Sequence, residues 1–84
     1  MKEEKMILKV LGTQISIASA NTVSNSNLVR IINTGAAAVL TLANAGGTYA
    51  NITISNTESV VIEKATTDTV AGTNMLAVPV AYRY

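Results

Sequence analysis

The chain has no cysteine, no histidine, no tryptophan and no phenylalanine. Without cysteine, no disulfide can staple the fold, and without cysteine and histidine the soft ligands of structural zinc sites are missing. The same two absences remove most nucleophile–base pairs on which hydrolytic enzymes rest. Aromatics make up 4% of the residues, as Tyr49, Tyr82 and Tyr84, so an aromatic platform for stacking a ligand is hard to build. Charge is scarce at 13%, about half the usual share. Between Gln14 and Thr57 the only charged side chain is Arg30. A net charge of +1 without a clustered basic face gives no nucleic-acid signal, and no sequence-specific nucleic-acid partner is expected.

What remains is Ala, Val, Ile, Leu, Thr and Asn in 84 residues, with 49% hydrophobic. A chain of this length hides only about 60–65% of its unfolded surface on folding. Small residues bury modest area each, so the core is thin, and small domains of this kind usually lean on a disulfide, a metal or a partner chain. With the first excluded and no metal cluster in evidence, oligomerisation or docking on a larger body is the expected support, and no cofactor is expected. A free monomer normally spreads more charge over its surface.

Short Val/Ile/Thr-rich runs separated by Gly, Asn and Ser clusters predict an all-β chain: a small antiparallel β-sandwich, immunoglobulin-like, or a barrel, of about seven short strands. The runs lie at 6–11, 13–18, 28–34, 37–43, 49–55, 59–64 and 76–82. Ala50, Ile52 and Ile54 alternate with Asn51, Thr53 and Ser55, the pattern of a half-buried strand. Val60 and Ile62 face one way, Val61 and Glu63 the other. Leu76, Val78, Val80 and Tyr82 share a face, with Tyr82 expected in the core. Pro79 lies opposite them and predicts an edge strand or a bulge, because proline cannot donate to a ladder. Asn44-Ala45-Gly46-Gly47 and Asn56-Thr57-Glu58 read as turns, and 66–74 as the longest connection, in which Asp68 is placed to open a helical turn. The organisation expected is a charged arm over 1–5 and one domain over 6–84.

The N-terminal segment does not suit a signal peptide, since Glu3 and Glu4 sit in its first five residues and Lys9, Gly12, Thr13 and Gln14 interrupt its apolar run. No stretch approaches the ~18 apolar residues of a membrane helix. The carboxylates Glu3, Glu4, Glu58, Glu63 and Asp68 include one pair near in sequence on the expected fold, Glu63 and Asp68; a solvated strand end and a loop cap account for them better than an acid–base pair, and no catalytic residue is expected. Gly46-Gly47 lacks the following lysine and helix of a phosphate loop.

Seven residues stand out as assembly contacts. Lys2, Glu3, Glu4 and Lys5 form the arm; Arg30 is a lone charge in a strand, with a stem able to cover apolar surface or a guanidinium able to pair with Glu63 or a neighbouring subunit; Tyr84 ends the chain in Tyr82-Arg83-Tyr84.

The segments Leu28-Val29-Arg30-Ile31-Ile32-Asn33-Thr34, Ala37-Ala38-Val39-Leu40-Thr41, Glu58-Ser59-Val60-Val61-Ile62-Glu63-Lys64 with Thr67-Asp68, and Leu76-Ala77-Val78-Pro79-Val80-Ala81-Tyr82 resemble small proteins of tailed bacteriophages, especially marine and cyanobacterial ones. The resemblance spans Asn27 to Tyr82 and consists of strands and turns. It implies a non-enzymatic structural subunit of a virion, either a neck or tail ring component or a capsid cement protein. Its partners would be further copies of itself and capsid, portal, neck or tail proteins, assembled in the host cytoplasm, with no membrane involved. The competing expectation is a small sandwich that binds a glycan or protein of a host surface, which an exposed Tyr49 beside Asn51 would favour.

Overall fold

The computed structural model describes residues 7–83. It is all-β, with eight strands: β1 (Ile7–Val10), β2 (Ile15–Ser16), β3 (Leu28–Asn33), β4 (Ala38–Asn44), β5 (Gly47–Ile54), β6 (Ser59–Glu63), β7 (Thr69–Ala71) and β8 (Met75–Arg83). They form an antiparallel sandwich of two sheets. The first has the order β1-β8-β3-β6, with β2 also on β8; the second has the order β5-β4-β7. The last strand pairs with β3 rather than with β7, which is where the order departs from the immunoglobulin arrangement.

Pairing fixes which side chains share a face. Val29, Ile31 and Asn33 of β3 stand beside Ala77 and Met75 of β8 and Val60 and Ile62 of β6. These point at Leu40, Leu42, Ile54 and Val70 of the second sheet and form one core with Ile17 and Val23. Ile17 and Val23 lie on the crossing segment between the sheets, which closes one side of the sandwich. The Ile17 N–H donates to Met75 C=O at 3.1 Å, Gly72 N–H donates to Ile17 C=O at 2.8 Å, and Asn21 exchanges bonds of 3.1 and 3.0 Å with Val70. The outer edge of β7 is thereby covered. A Cβ at Gly72 would collide with the Met75 thioether, so a larger residue there would oblige the buried Met75 side chain to shift.

Three expectations change. The stretch 66–74 contains a strand, β7, where a plain connection with a helical turn was expected, and Val70 in its middle is fully buried. A three-residue strand is too short to show periodicity. Second, β8 is neither an edge nor bulged itself: it runs between β1/β2 and β3. Leu11 N–H donates to Pro79 C=O at 2.9 Å, which places the missing Pro79 N–H on the same side. There the partner strand is broken, since Val10 pairs with Val80 and pairing resumes only at Ile15 with Ala77. Four residues on one side face two on the other, and the ladder bond that proline cannot make is not required. Third, β5 is not half-buried. It is the edge of the three-stranded sheet, only Ile54 is buried, and Ile52 is 46% exposed. Ile52 pairs with the core residue Leu40 and so shares its side of the sheet, yet only Ile54 is enclosed.

Asn33 joins the sheets. Its buried side chain donates to Ile54 C=O at 2.8 Å and Ala36 C=O at 2.9 Å, and accepts from Gly35 N–H at 2.8 Å. Its backbone meets Glu58 and Thr57 of the β5–β6 turn. All of its side-chain capacity but one lone pair is used, in a place where an unmet polar group costs about 1–3 kcal/mol. Asn33→Leu is expected to lower unfolding free energy by about 2–3 kcal/mol in chemical denaturation. Asn33→Asp should lower it further at neutral pH, because both donors are lost and a carboxylate faces two carbonyls, and part of that loss should return when the acid is protonated.

Candidate assembly surface

The outer faces of the two sheets differ in chemistry. On the second sheet, Val39, Thr41, Thr53 and Asn51 share the side away from the core, a mostly polar surface. On the first, strand pairing brings together Leu8 and Val10 of β1, Leu76, Val78, Val80 and Tyr82 of β8, Leu28, Arg30 and Ile32 of β3, and Ser59, Val61 and Glu63 of β6. Nine of these twelve are Leu, Ile, Val or Tyr. Val78 and Val80 are almost fully buried within this face, at 6% and 2% exposure, apart from the core cluster between the sheets. Around them Val10 is 59% exposed, Tyr82 40% and Val61 38%.

This arrangement explains the near-continuous apolar composition of β3 and β8. Strands with one wet face alternate, whereas strands covered on both faces do not. Tyr82 therefore belongs to the outer face and not to the core, a correction to the expectation above. Alternation separates the two sides of β8 but cannot say which is inside when both are apolar.

Arg30 and Glu63 are on this same face. Leu28 lies directly opposite Glu63 and Arg30 opposite Val61, so the two charges sit on a diagonal of adjacent strands. Among the described residues they form no ion pair. Arg30 is half-buried, and strand pairing sets it between Val78 and Val61. Lys2, Glu3, Glu4, Lys5 and Tyr84, the other anticipated contacts, lie outside the described residues.

A groove of about 630 Å³ borders the face, lined by Ser24, Asn25, Leu28, Glu63, Pro79 and Val80 among others. Its rim is a left-handed turn in which Val23, Ser24 and Asn25 all have positive φ, at 56°, 60° and 54°. Such geometry costs about 1–2 kcal/mol per non-glycine residue. Several contacts hold it. Val23 N–H donates to Asn21 Oδ1 at 2.7 Å, Ser26 Oγ donates to Val23 C=O at 2.8 Å, and the Val23 side chain is fully buried. Lys64 is also buried and donates through Nζ to Ser26 C=O at 2.8 Å and Ala65 C=O at 3.3 Å. Burial pushes its ammonium below the usual lysine range, partly countered by Asp68. Lys64 thus anchors the turn from beneath, a role that its place at a strand end did not reveal.

Glu58 Oε1 accepts from Ser55 N–H at 2.8 Å within its turn. Asp68 Oδ2 accepts from Tyr49 Oη–H at 2.7 Å across the second sheet, while Glu63 stands on the outer face of the first. No group of three or more potential metal ligands exists among the described residues. Tyr49 is the extra residue of the β5 bulge, since Leu42 pairs with Ala50 and Ala43 with Thr48. It and Asn51 are both exposed.

Comparison with protein-family models, with curated proteins and with solved structures finds no match.

The Tyr49 phenol is held above its ordinary range first by its hydrogen bond to Asp68. With the folded-state value raised, the stabilisation from this bond is fully present below about pH 10 and is lost as pH rises through the raised value. In ultraviolet titration, the step missing from Tyr49→Phe should therefore lie above the ordinary tyrosine range, and Asp68→Asn should bring it down. Titration of Tyr49 at its ordinary value in the parent protein would contradict the bond.

Proposed function

We propose that this chain is a non-enzymatic structural subunit of a multi-copy assembly, and specifically of a tailed-phage virion, as a neck or tail ring component or a capsid cement protein. The observation that carries the reading is the apolar outer face of the five-stranded sheet. A thin core with no disulfide gains most from covering that face. Scarce surface charge, which hampers a solitary soluble protein, suits a subunit enclosed by neighbours. The long uncharged β5 edge fits the same setting, because a free edge of this kind is an aggregation hazard unless assembly covers it. The phage context comes from the resemblance of the segments between Asn27 and Tyr82 to virion proteins.

A second reading, a module that binds a host-surface glycan or protein, draws on the exposure of Tyr49 beside Asn51. It has less behind it. Tyr49 is a single aromatic, its hydroxyl is already committed to Asp68, and sugar sites usually combine stacking rings with free polar groups.

The direct test is fractionation of particles made from the genome that encodes the chain. The chain should sediment with intact virions through a density gradient, in many copies per particle, and remain after a high-salt wash. Recovery only in the soluble fraction would contradict the virion reading. Loss of particle binding on adding a soluble glycan would favour the second.

A further inference from the structure

We propose that the outer face of the five-stranded sheet is an isologous interface with a second copy of this chain, in which Arg30 of each copy pairs with Glu63 of the other. The inference deepens the assembly reading above by naming the partner and the contact.

Among the described residues the face carries one cation and one anion in an apolar field, and these two form no ion pair. That pattern is self-complementary: a two-fold axis lying between two such faces sets each arginine over the other copy's glutamate and makes both pairs at once. A partner of uniform charge would satisfy only one of the two groups.

The positions of the apolar residues agree with the same axis. On a grid of about 4.8 Å between strands and about 3.3 Å per residue, Arg30 and Glu63 lie one strand and two residues apart. The axis that exchanges them is the perpendicular bisector of the line joining them. From between these two residues it runs diagonally across the face. It passes over Leu28, between Val80 and Tyr82, and on to Leu8. Of the apolar residues of β1 and β8, Leu8 and Val80 lie nearest the axis, and the exposed Val10 and Tyr82 flank it on opposite sides at about 4 Å on this grid. Strands of the two copies cross at about 70° on this grid, close to the orthogonal class of sheet packing.

The test is reciprocal charge complementation read by light scattering at physiological salt. The parent chain should form a dimer whose population rises with concentration. Arg30→Glu and Glu63→Arg should each weaken it by roughly tenfold or more, since each places like charges together twice per dimer. An equimolar mixture of the two variants should restore a dimer containing one of each, because both contacts then join opposite charges. A salt bridge within one chain cannot produce that restoration. If Arg30→Glu does not fold alone, Arg30→Gln and Glu63→Gln serve instead: each should weaken the dimer, and the double variant should be little worse than either.

A mixture that stays monomeric overturns the inference, as does a parent chain that is monomeric throughout. A parent oligomer indifferent to both substitutions overturns the Arg30–Glu63 contact while leaving self-assembly by another surface in place. Sedimentation with virions is a separate readout, so failure here and failure of the virion reading are distinguishable.

Discussion

The five-stranded sheet is largely apolar on both faces, and the second sheet of this protein covers one of them. The rest of the structure is arranged around that imbalance. β8 is central because it is the longest strand and has pairing partners on both sides, and its two rows of small and branched side chains leave no polar face to turn toward water. One row, with Met75 and Ala77, meets the core. The other lies on the outer face, where Val78 and Val80 are buried, Leu76 is half-buried and Tyr82 is exposed. Nothing comparable occurs on the second sheet, where threonine and asparagine occupy much of the outer side.

The inner face is held by a few polar devices as well as by packing. Asn33 ties the end of β3 to the end of β5, the crossing segment 17–21 closes the free side of β7, and Lys64 supports the left-handed turn that delivers Val23 to the core. Each replaces a constraint that a disulfide or a large aromatic would supply in a richer sequence. They also account for strain at Val23: a β-branched residue at positive φ is tolerated where burial of its side chain and bonds to Asn21 and Ser26 over-determine the backbone.

Much of the fold was legible from residue order. Seven strands, the hairpin at Asn44–Gly47 and the opposed faces of Val60/Ile62 and Val61/Glu63 follow from period-two patterning and turn chemistry. What escaped has physical reasons. β7 has one apolar residue between Thr69 and Ala71, so its identity as a strand comes from pairing with β4 and Asn21 and not from its own pattern. Pro79 reads as an edge residue because local rules cannot know that the partner strand is interrupted opposite it. Ile52 reads as buried because alternation gives the side it faces, not whether the opposing sheet reaches that far. The surface was half legible: Arg30 and Glu63 were visible as isolated charges, but only the register of β3 against β6 and β8 puts them on one face with Val10, Val61 and Tyr82.

Because the chain lacks cysteine, a single introduced thiol reports one position cleanly. The most direct measurement is the rate of maleimide labelling of Val61→Cys, on the outer face of the first sheet, compared with Val39→Cys, on the outer face of the second, as protein concentration rises under reducing conditions. Both sites are exposed in the isolated fold. If the first face is covered on assembly, labelling at position 61 slows with concentration while labelling at position 39 does not. Equal, concentration-independent labelling at both, or protection at position 39 alone, would contradict it.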